Sequence, residues 1–292
     1  MRLGKDDLVE IISALTTLHD ETASFFNKYG LDPAPGSKAI SELTAYFRTE
    51  SIQTSYSQGN MLIEASADQL ISLFRSLTEP VLTIAPWTSV RVIIESSALA
   101  SWLLDPTISA RDRAQRSFAF RFEGLSQQVK FARASGLDTT KALLRIDDVE
   151  KVALTLGFSI VKDKNGKRIG IGQLFPTMTD LVGSVLQEEP TYRLFSAFTH
   201  AHPWAMQHMS FSQAQDKSPD HSDFSRNTTY FEKSLQPEAI IFLCHKAAYA
   251  FSRPIWYKAQ LYGYELPEFS IMLNRVFDKL RFSNTARFWN TT

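Results

Sequence analysis

Residues 192–200 are Tyr192-Arg-Leu-Phe-Ser-Ala-Phe-Thr-His200, a stretch with the pattern of an amphipathic helix. At about 100° per residue, seven steps end roughly 20° short of two full turns, so Arg193 and His200 share one face, with Ser196 between them. The apolar residues of the stretch point the other way. A guanidinium beside a histidine is suited to hold a phosphodiester and move a proton on it. An ordinary solvated helix face is the alternative.

Helical periodicity continues on both sides of this stretch. Apolar residues recur at three- and four-residue steps, and glycine, proline and capping residues divide the chain into segments. The pattern predicts an all-α multi-helix bundle. Its helices run from the start of the chain to Gly30, from Ser37 to Arg48, from Ser66 past Leu77, from Pro86 to Leu103, from Ser109 to Ser135, from Thr139 to Leu156, from Thr177 or Thr179 to Leu186, over 237–262 and over 267–282.

Two segments depart from the helical pattern. The polar stretch from Thr49 to Asn60 predicts a connection between an N-terminal helical arm, 1–60, and a bundle domain, 61–292. Residues 158–171 are rich in β-prone residues around Asn165-Gly166, a pair that favours positive φ in a tight turn. One small β-hairpin is therefore predicted near 158–171, inserted between helices.

Composition limits the class of protein and its compartment. The 31 basic and 31 acidic residues cancel, so polyanion binding must come from local patches. The lone cysteine, Cys244, lies in an apolar run and predicts a buried thiol in a reducing compartment. Neither a signal peptide nor a continuous apolar stretch of membrane-spanning length is recognisable. We expect a cytoplasmic protein without a membrane partner.

The helix predicted from Pro86 carries an arginine and a carboxylate one turn apart, Arg91 and Glu95. In isolation such a pair is usually a plain intrahelical ion pair. Here Val92, Ile93 and Ile94 separate the two charges, which indicates a helix that is buried on most sides. Charged groups in such surroundings need a partner or a function.

An Arg-x-x-x-Glu helix in an apolar run, followed about a hundred residues later by Tyr-Arg-x-x-Ser-x-x-x-His, resembles the HEPN superfamily. The second motif is most similar to that of bacterial HEPN-like proteins with a Tyr-Arg…Ser…His signature. The resemblance covers about residues 66–262. It implies a helical bundle that forms a homodimer, in which an arginine and a histidine from each subunit meet to build a metal-independent endoribonuclease site.

The resemblance also implies roles for individual residues. Arg193 would bind the scissile phosphate, His200 would move protons between the ribose 2′-hydroxyl and the leaving 5′-oxygen, and Glu95 would orient one of them. Supporting positions are Arg91, Tyr192, Ser196 and His202. Many active members of the superfamily have a polar residue directly after the arginine, whereas this chain has Leu194.

Neither a metal nor another cofactor is expected. His200, His202 and His208 lie within nine positions, but Cys and carboxylate residues are missing between them, and Pro203 interrupts the helix that would align them. A polar helix end with Trp204 packed beneath it is the preferred interpretation. The sequence also lacks a glycine-rich phosphate loop and a Gly-x-Ser-x-Gly elbow.

A basic segment begins the helix that follows Ser109. It carries Arg111, Arg113 and Arg116, with Arg121, Lys130 and Arg133 further along, and is the best candidate for a face that tracks RNA phosphates. A solvated surface is the alternative, because acidic residues dilute the positive charge.

Two functions are carried forward. The first is a HEPN-like endoribonuclease of the toxin or phage-defence type, a homodimer with RNA as substrate and an antitoxin or other regulatory protein as partner. The second is a non-catalytic helical binding or regulatory module, in which Arg91, Glu95, Arg193 and His200 form a structural polar network. A third and weaker hypothesis is another enzyme, with a pocket beneath the polar stretch 210–234.

Overall fold

Helices account for most of the computed structural model, which describes residues 5–29, 32–46, 50–209, 211–213, 231–233 and 235–280. Within these ranges the all-α prediction is confirmed. The helices are α1 (Lys5–Tyr29), α2 (Lys38–Ala45), α3 (Ser51–Ser76), α4 (Ala85–Leu103), α5 (Ala110–Ala134), α6 (Thr140–Thr155), α7 (Met178–Leu186), α8 (Glu189–Thr199), α9 (Pro203–Met209), α10 (Pro237–Tyr262) and α11 (Pro267–Leu280).

The α4 helix is the centre of the bundle. It packs against α3, α10, α7 and α8, and it is buried on most sides, as predicted. Serine and alanine make up much of its surface, so neighbouring helices approach closely. The Ser66 and Ser97 hydroxyls, for example, lie 2.9 Å apart between α3 and α4 and satisfy each other inside the core.

The α3 helix corrects the prediction for residues 49–76. Instead of a connection followed by a helix that Ser66 caps, one helix runs from Ser51 to Ser76, and Ser66 is buried within it. In its N-terminal half, Ile52, Tyr56 and Ile63 form a buried face at helical spacing, together with small residues such as Ser55 and Gly59. The domain boundary predicted at 60/61 therefore falls inside a helix that packs against both α1 and α4.

The hairpin near 158–171 is confirmed. Strands β1 (Ile160–Lys162) and β2 (Arg168–Ile171) pair antiparallel, with Ile160 opposite Ile171. Its turn differs from the predicted one, because only Gly166 has a positive φ, of 77°. The Asp163 carboxylate accepts hydrogen bonds from the backbone N–H groups of Asn165 and Lys167, each at 2.9 Å, and this stabilises a longer turn.

The C-terminal part of the chain matches its prediction closely. Helix α10 has the predicted bounds, 237–262, and α11 begins at the predicted Pro267. Cys244 is fully buried, and burial raises the pKa of its thiol. A second antiparallel pair of strands, absent from the prediction, consists of β3 (Phe211–Gln213) and β4 (Phe231–Lys233). Most of the polar stretch 210–234, for which a lid was considered, lies outside the described residues.

A buried ion pair ties the first half of the chain together. The Arg113 side chain in α5 is 0% exposed, and its Nε donates to the Glu42 carboxylate of α2 at 2.7 Å. Its terminal nitrogens donate to the carbonyl oxygens of Leu103 and Asp105, where α4 ends. The Tyr56 hydroxyl of α3 donates to the same Glu42 carboxylate at 2.7 Å. One guanidinium thus connects four helices.

None of the described helices is both long enough and apolar enough to cross a membrane.

Replacing Arg113 with Met should lower the free energy of unfolding by about 3 kcal/mol, because the buried Glu42 carboxylate would lose its close counter-ion and keep only Lys38, whose Nζ lies 3.8 Å away. Urea unfolding followed by circular dichroism measures the change. Arg133→Met on the exposed side of the same helix is the control and should change stability by less than about 0.5 kcal/mol. A cost below about 1 kcal/mol for Arg113→Met would contradict the structural role of this ion pair.

Candidate functional site

The α8 helix is held to the bundle by its aromatic face. Pro190 lies in its first turn, where a missing backbone N–H costs nothing. Phe195 and Phe198 are buried, and the Phe198 ring stacks on that of Trp87 in α4, with centroids 3.9 Å apart and planes 3° from parallel. This packing fixes the rotation of α8 and decides which of its side chains face outward.

Tyr192 adds a polar contact to the buried face. Its hydroxyl donates to Glu95 Oε1 at 2.8 Å, and Arg91 Nε donates to the same oxygen at 3.0 Å. The Arg91 guanidinium also lies 5.8 Å from the centroid of the Tyr192 ring. The Arg91 and Glu95 side chains are 18% and 26% exposed, so the pair is only partly screened by water. We call Arg91, Glu95 and Tyr192 the α4–α8 latch.

The protonation states of the latch follow from its surroundings. Burial, and then the hydrogen bond to Glu95, raise the pKa of Tyr192, so the hydroxyl stays protonated and can donate. Partial burial lowers the pKa of Arg91, but the Tyr192 hydroxyl and the Glu95 carboxylate outweigh it, and the net shift is upward. The latch is therefore a phenol and a guanidinium that share one carboxylate.

Arg193 and His200 lie on the opposite, exposed side of α8. The Arg193 side chain is 65% exposed and pairs with Glu189 one turn earlier, with Nη2 to Oε1 at 2.8 Å. His200 follows the last turn of α8, where its backbone N–H donates to the Ser196 carbonyl at 3.0 Å. Its ring is exposed and lies 6.4 Å from the ring of His202, centroid to centroid. Ser196 is half-buried beside them.

The role predicted for Glu95 needs correction. Within the described residues, the Glu95 carboxylate contacts Arg91 and Tyr192, and Glu189 is the carboxylate that Arg193 meets. The reason is helical geometry, because Tyr192 and Arg193 are about 100° apart around α8 and only Tyr192 faces α4. Within a single chain, Glu95 therefore contacts the motif at 192–200 only through the hydrogen bond from Tyr192. Leu194 also packs against the core.

The predicted RNA-binding arginines have structural partners instead. Arg113 is enclosed in the core and cannot contact RNA. Arg111 donates to the carbonyls of Leu156 and Gly157, 3.1 and 3.0 Å away, beyond the end of α6. Arg116 donates to the Trp102 carbonyl at 2.6 Å and stacks over the Trp102 ring. The phosphate-tracking prediction for these three is wrong, because their guanidinium groups bind the carbonyl oxygens of neighbouring segments.

Further along α5, Lys130 and Arg133 remain exposed. They line a groove of about 410 Å³ together with Lys167 and Arg168 of the hairpin. Arg168 is neutralised by Asp147 and Glu150, at 2.7 and 2.6 Å. Lys130, Arg133 and Lys167 form no ion pair within the described part of the chain. These side chains form a basic groove because the fold brings α5 and the hairpin together. Their spacing in the sequence does not indicate this proximity.

His200 and His202 lie between the end of α8 and the start of α9. Among the described residues, no group of three or more His, Cys, Asp or Glu side chains is placed to hold a metal ion. Pro203 separates the two helices, as expected, and begins α9. Trp204, expected to pack beneath the helix end, is instead 54% exposed. The His208 side chain lies outside the described residues.

Comparisons with protein-family models, with curated proteins and with solved structures found no match to this chain. The resemblance to the HEPN superfamily therefore stays a prediction that rests on the motifs at 91–95 and 192–200.

Replacing Tyr192 with Phe should lower the free energy of unfolding by about 1–2 kcal/mol, because Glu95 loses a hydrogen bond in a partly buried site. Glu189→Gln is the matched control, since it removes only an exposed pair within α8 and should cost no more than about 0.5 kcal/mol. Both are measured by urea unfolding. If the Tyr192→Phe variant and the wild type were equally stable, the hydrogen bond from Tyr192 in the α4–α8 latch would contribute nothing to the free energy of unfolding.

Proposed function

We propose that this protein is a metal-independent endoribonuclease whose reacting groups are Arg193 and His200 on the outer side of α8. The observation that carries the proposal is the division of α8 into two faces. The inner face holds the helix through its aromatic rings and the α4–α8 latch, while Arg193, His200 and His202 are left exposed. A fixed helix that presents an exposed arginine and is followed by an exposed histidine suits recognition and proton transfer at a phosphodiester.

The chemistry uses arginine and histidine side chains and the 2′-hydroxyl of the RNA itself. His200 accepts the proton of the ribose 2′-hydroxyl as the 2′-oxygen attacks the phosphorus, and Arg193 stabilises the charge that develops on the phosphoryl oxygens. The 5′-oxygen then leaves with a proton from a histidine in its protonated form. The products are an RNA end with a 2′,3′-cyclic phosphate and one with a 5′-hydroxyl.

A second copy of the chain completes this site. One exposed histidine cannot be base and acid at once, and two exposed α8 faces meeting across a two-fold axis would supply both forms. The same exposed face is where an antitoxin or another regulatory protein would block the enzyme. Roles in a toxin or phage-defence system, and action in the cytoplasm, are part of this proposal.

RNA affinity is assigned to the basic groove rather than to the start of α5. Lys130, Arg133 and Lys167 have no ion-pair partner among the described residues and can neutralise phosphates. Charge reversal in the Lys130→Glu, Arg133→Glu double variant should weaken RNA binding at low salt at least tenfold. The Arg111→Gln variant should bind RNA as the wild type does. Electrophoretic mobility shift at several salt concentrations tests both.

A non-catalytic binding or regulatory module is the second candidate. The observation that favours it is the α4–α8 latch, in which three of the predicted site residues have structural partners inside the chain. Such a protein would bind its partner through the exposed side of α8 without changing it.

Cleavage assays on structured and unstructured RNA decide between the two functions. The wild type should cleave without added metal and in the presence of EDTA, and His200→Ala and Arg193→Ala should each lose at least about a hundredfold in rate. Both side chains are exposed, so the variants should fold. Gln207→Ala, an exposed change in α9, is the control and should keep wild-type activity.

Equal residual cleavage by the wild type and His200→Ala would identify a contaminant and contradict the catalytic role. Binding of RNA without cleavage, unaffected by His200→Ala, would favour the second candidate.

A further inference from the structure

A pocket between α3, α5 and α6 contains a charged group that the rest of the structure does not explain. The pocket encloses about 610 Å³, within the range of sites for small organic ligands. Its lining is mostly apolar and includes Met61, Phe120, Leu125, Val149 and Val152. Met61 is 72% exposed and contributes apolar surface to the pocket.

Arg121 is the unexplained group. Its side chain is half-buried at the pocket wall, and desolvation lowers the pKa of its guanidinium. It makes no hydrogen bond, ion pair or ring contact with any described residue, unlike Arg111, Arg113 and Arg116 on the same helix. A guanidinium that is partly withdrawn from water without a counter-ion destabilises the protein. An anion in the pocket would remove that cost.

The other charged residues that line the pocket also favour an anionic ligand. Arg145 of α6 also lines it, is exposed, and has no ion pair with a described residue. The only carboxylate in the lining, Asp148, lies 3.4 Å from Lys151. Two unpaired guanidinium groups at the edge of an apolar pocket are complementary to a ligand with an anionic head and an apolar tail.

Gln58 supplies a second hydrogen-bond donor. Its side-chain oxygen accepts from the Ser117 hydroxyl at 2.7 Å, which fixes the amide and leaves its N–H groups without a partner among the described residues. Gln58 and Arg121 line the same pocket from opposite helices, α3 and α5. An anionic head group between them would accept from both.

Gly124 keeps the pocket open. It lies within α5, where glycine costs about 1 kcal/mol relative to alanine. Its φ is ordinary, and a β-carbon built on it would meet nothing within 4 Å, so neither backbone conformation nor packing explains the glycine. It faces the pocket, where a side chain would take up space.

From this geometry we propose that the pocket binds a small amphipathic anion, a carboxylate or phosphate ester with an apolar tail, through Arg121 and Gln58. This site is separate from α8 and does not depend on the proposed ribonuclease activity. Ligand binding here would join α3, α5 and α6, and would stabilise the folded chain.

Isothermal titration with decanoate tests the proposal. The full chain should bind one decanoate per chain saturably, and Arg121→Gln should weaken binding at least tenfold. Decyltrimethylammonium, with the same tail and opposite charge, should not bind, and decyl phosphate in place of decanoate tells which head group is preferred. Arg75→Gln, which changes an exposed arginine of α3 outside this pocket, is the control and should bind decanoate as the wild type does.

Gly124→Leu provides a test that leaves Arg121 intact. It should fold with at least wild-type stability, because it improves helix propensity in an open position, and it should abolish decanoate binding by filling the pocket. Equal decanoate affinity in the wild type and Arg121→Gln, tighter binding of decyltrimethylammonium, or no saturable binding would overturn the proposal. Without decanoate binding, a concentration-dependent dimer that Gly124→Leu abolishes would instead make the pocket an interface between two copies.

Discussion

The Arg113 guanidinium donates hydrogen bonds to a carboxylate of α2 and to the carbonyl oxygens at the end of α4, all within the core. A charge in such a place is tolerated only when it is completely paired, because the energy of removing it from water is large. Helices α2, α3, α4 and α5 must therefore take the relative positions that bring Glu42, Tyr56 and Arg113 together. Hydrophobic packing alone is less directional, and the ion pair selects one arrangement of these four helices.

A paired charge also fixes the contact between α8 and α4, where the charged groups are less buried and the stabilisation is smaller. The α4–α8 latch and the stack of Phe198 on Trp87 fix α8 in one rotation. Since neighbouring residues of a helix lie about 100° apart, fixing Tyr192 inward places Arg193 outward. The core residues thus determine which polar side chains the helix presents to a substrate or a partner, although none of the core residues is chemically reactive.

Periodicity was sufficient to predict the elements whose buried and exposed faces differ clearly. Helices α10 and α11 and the first hairpin follow from local pattern. The N-terminal half of α3 could not be predicted in this way, because its buried face contains Ser55 and Gly59. Serine and glycine are typical of loops, so their burial is recognised only when the neighbouring helices are known. Small residues allow close approach, and the Gly59 backbone lies directly against Leu104.

Charged residues were the least predictable part of the chain. Arg111, Arg113 and Arg116 look like one basic surface in the sequence, yet each has a different structural partner 8 to 71 positions away. Long-range pairing of this kind leaves no local signal. Other basic side chains, including Arg121 and three in the basic groove, have no ion pair among the described residues and are candidates to bind an anionic ligand.

We propose that the exposed side of α8 catalyses attack by the RNA 2′-hydroxyl on the adjacent phosphodiester. The most direct test of this proposal is a pair of RNA substrates that differ only by a single 2′-deoxy nucleotide at the cleaved position, with mass spectrometry of the fragments. We expect the all-ribose substrate to be cut so that it leaves a 2′,3′-cyclic phosphate, whereas the bond next to the 2′-deoxy nucleotide stays intact. Cleavage of both substrates at the same position and rate would contradict it.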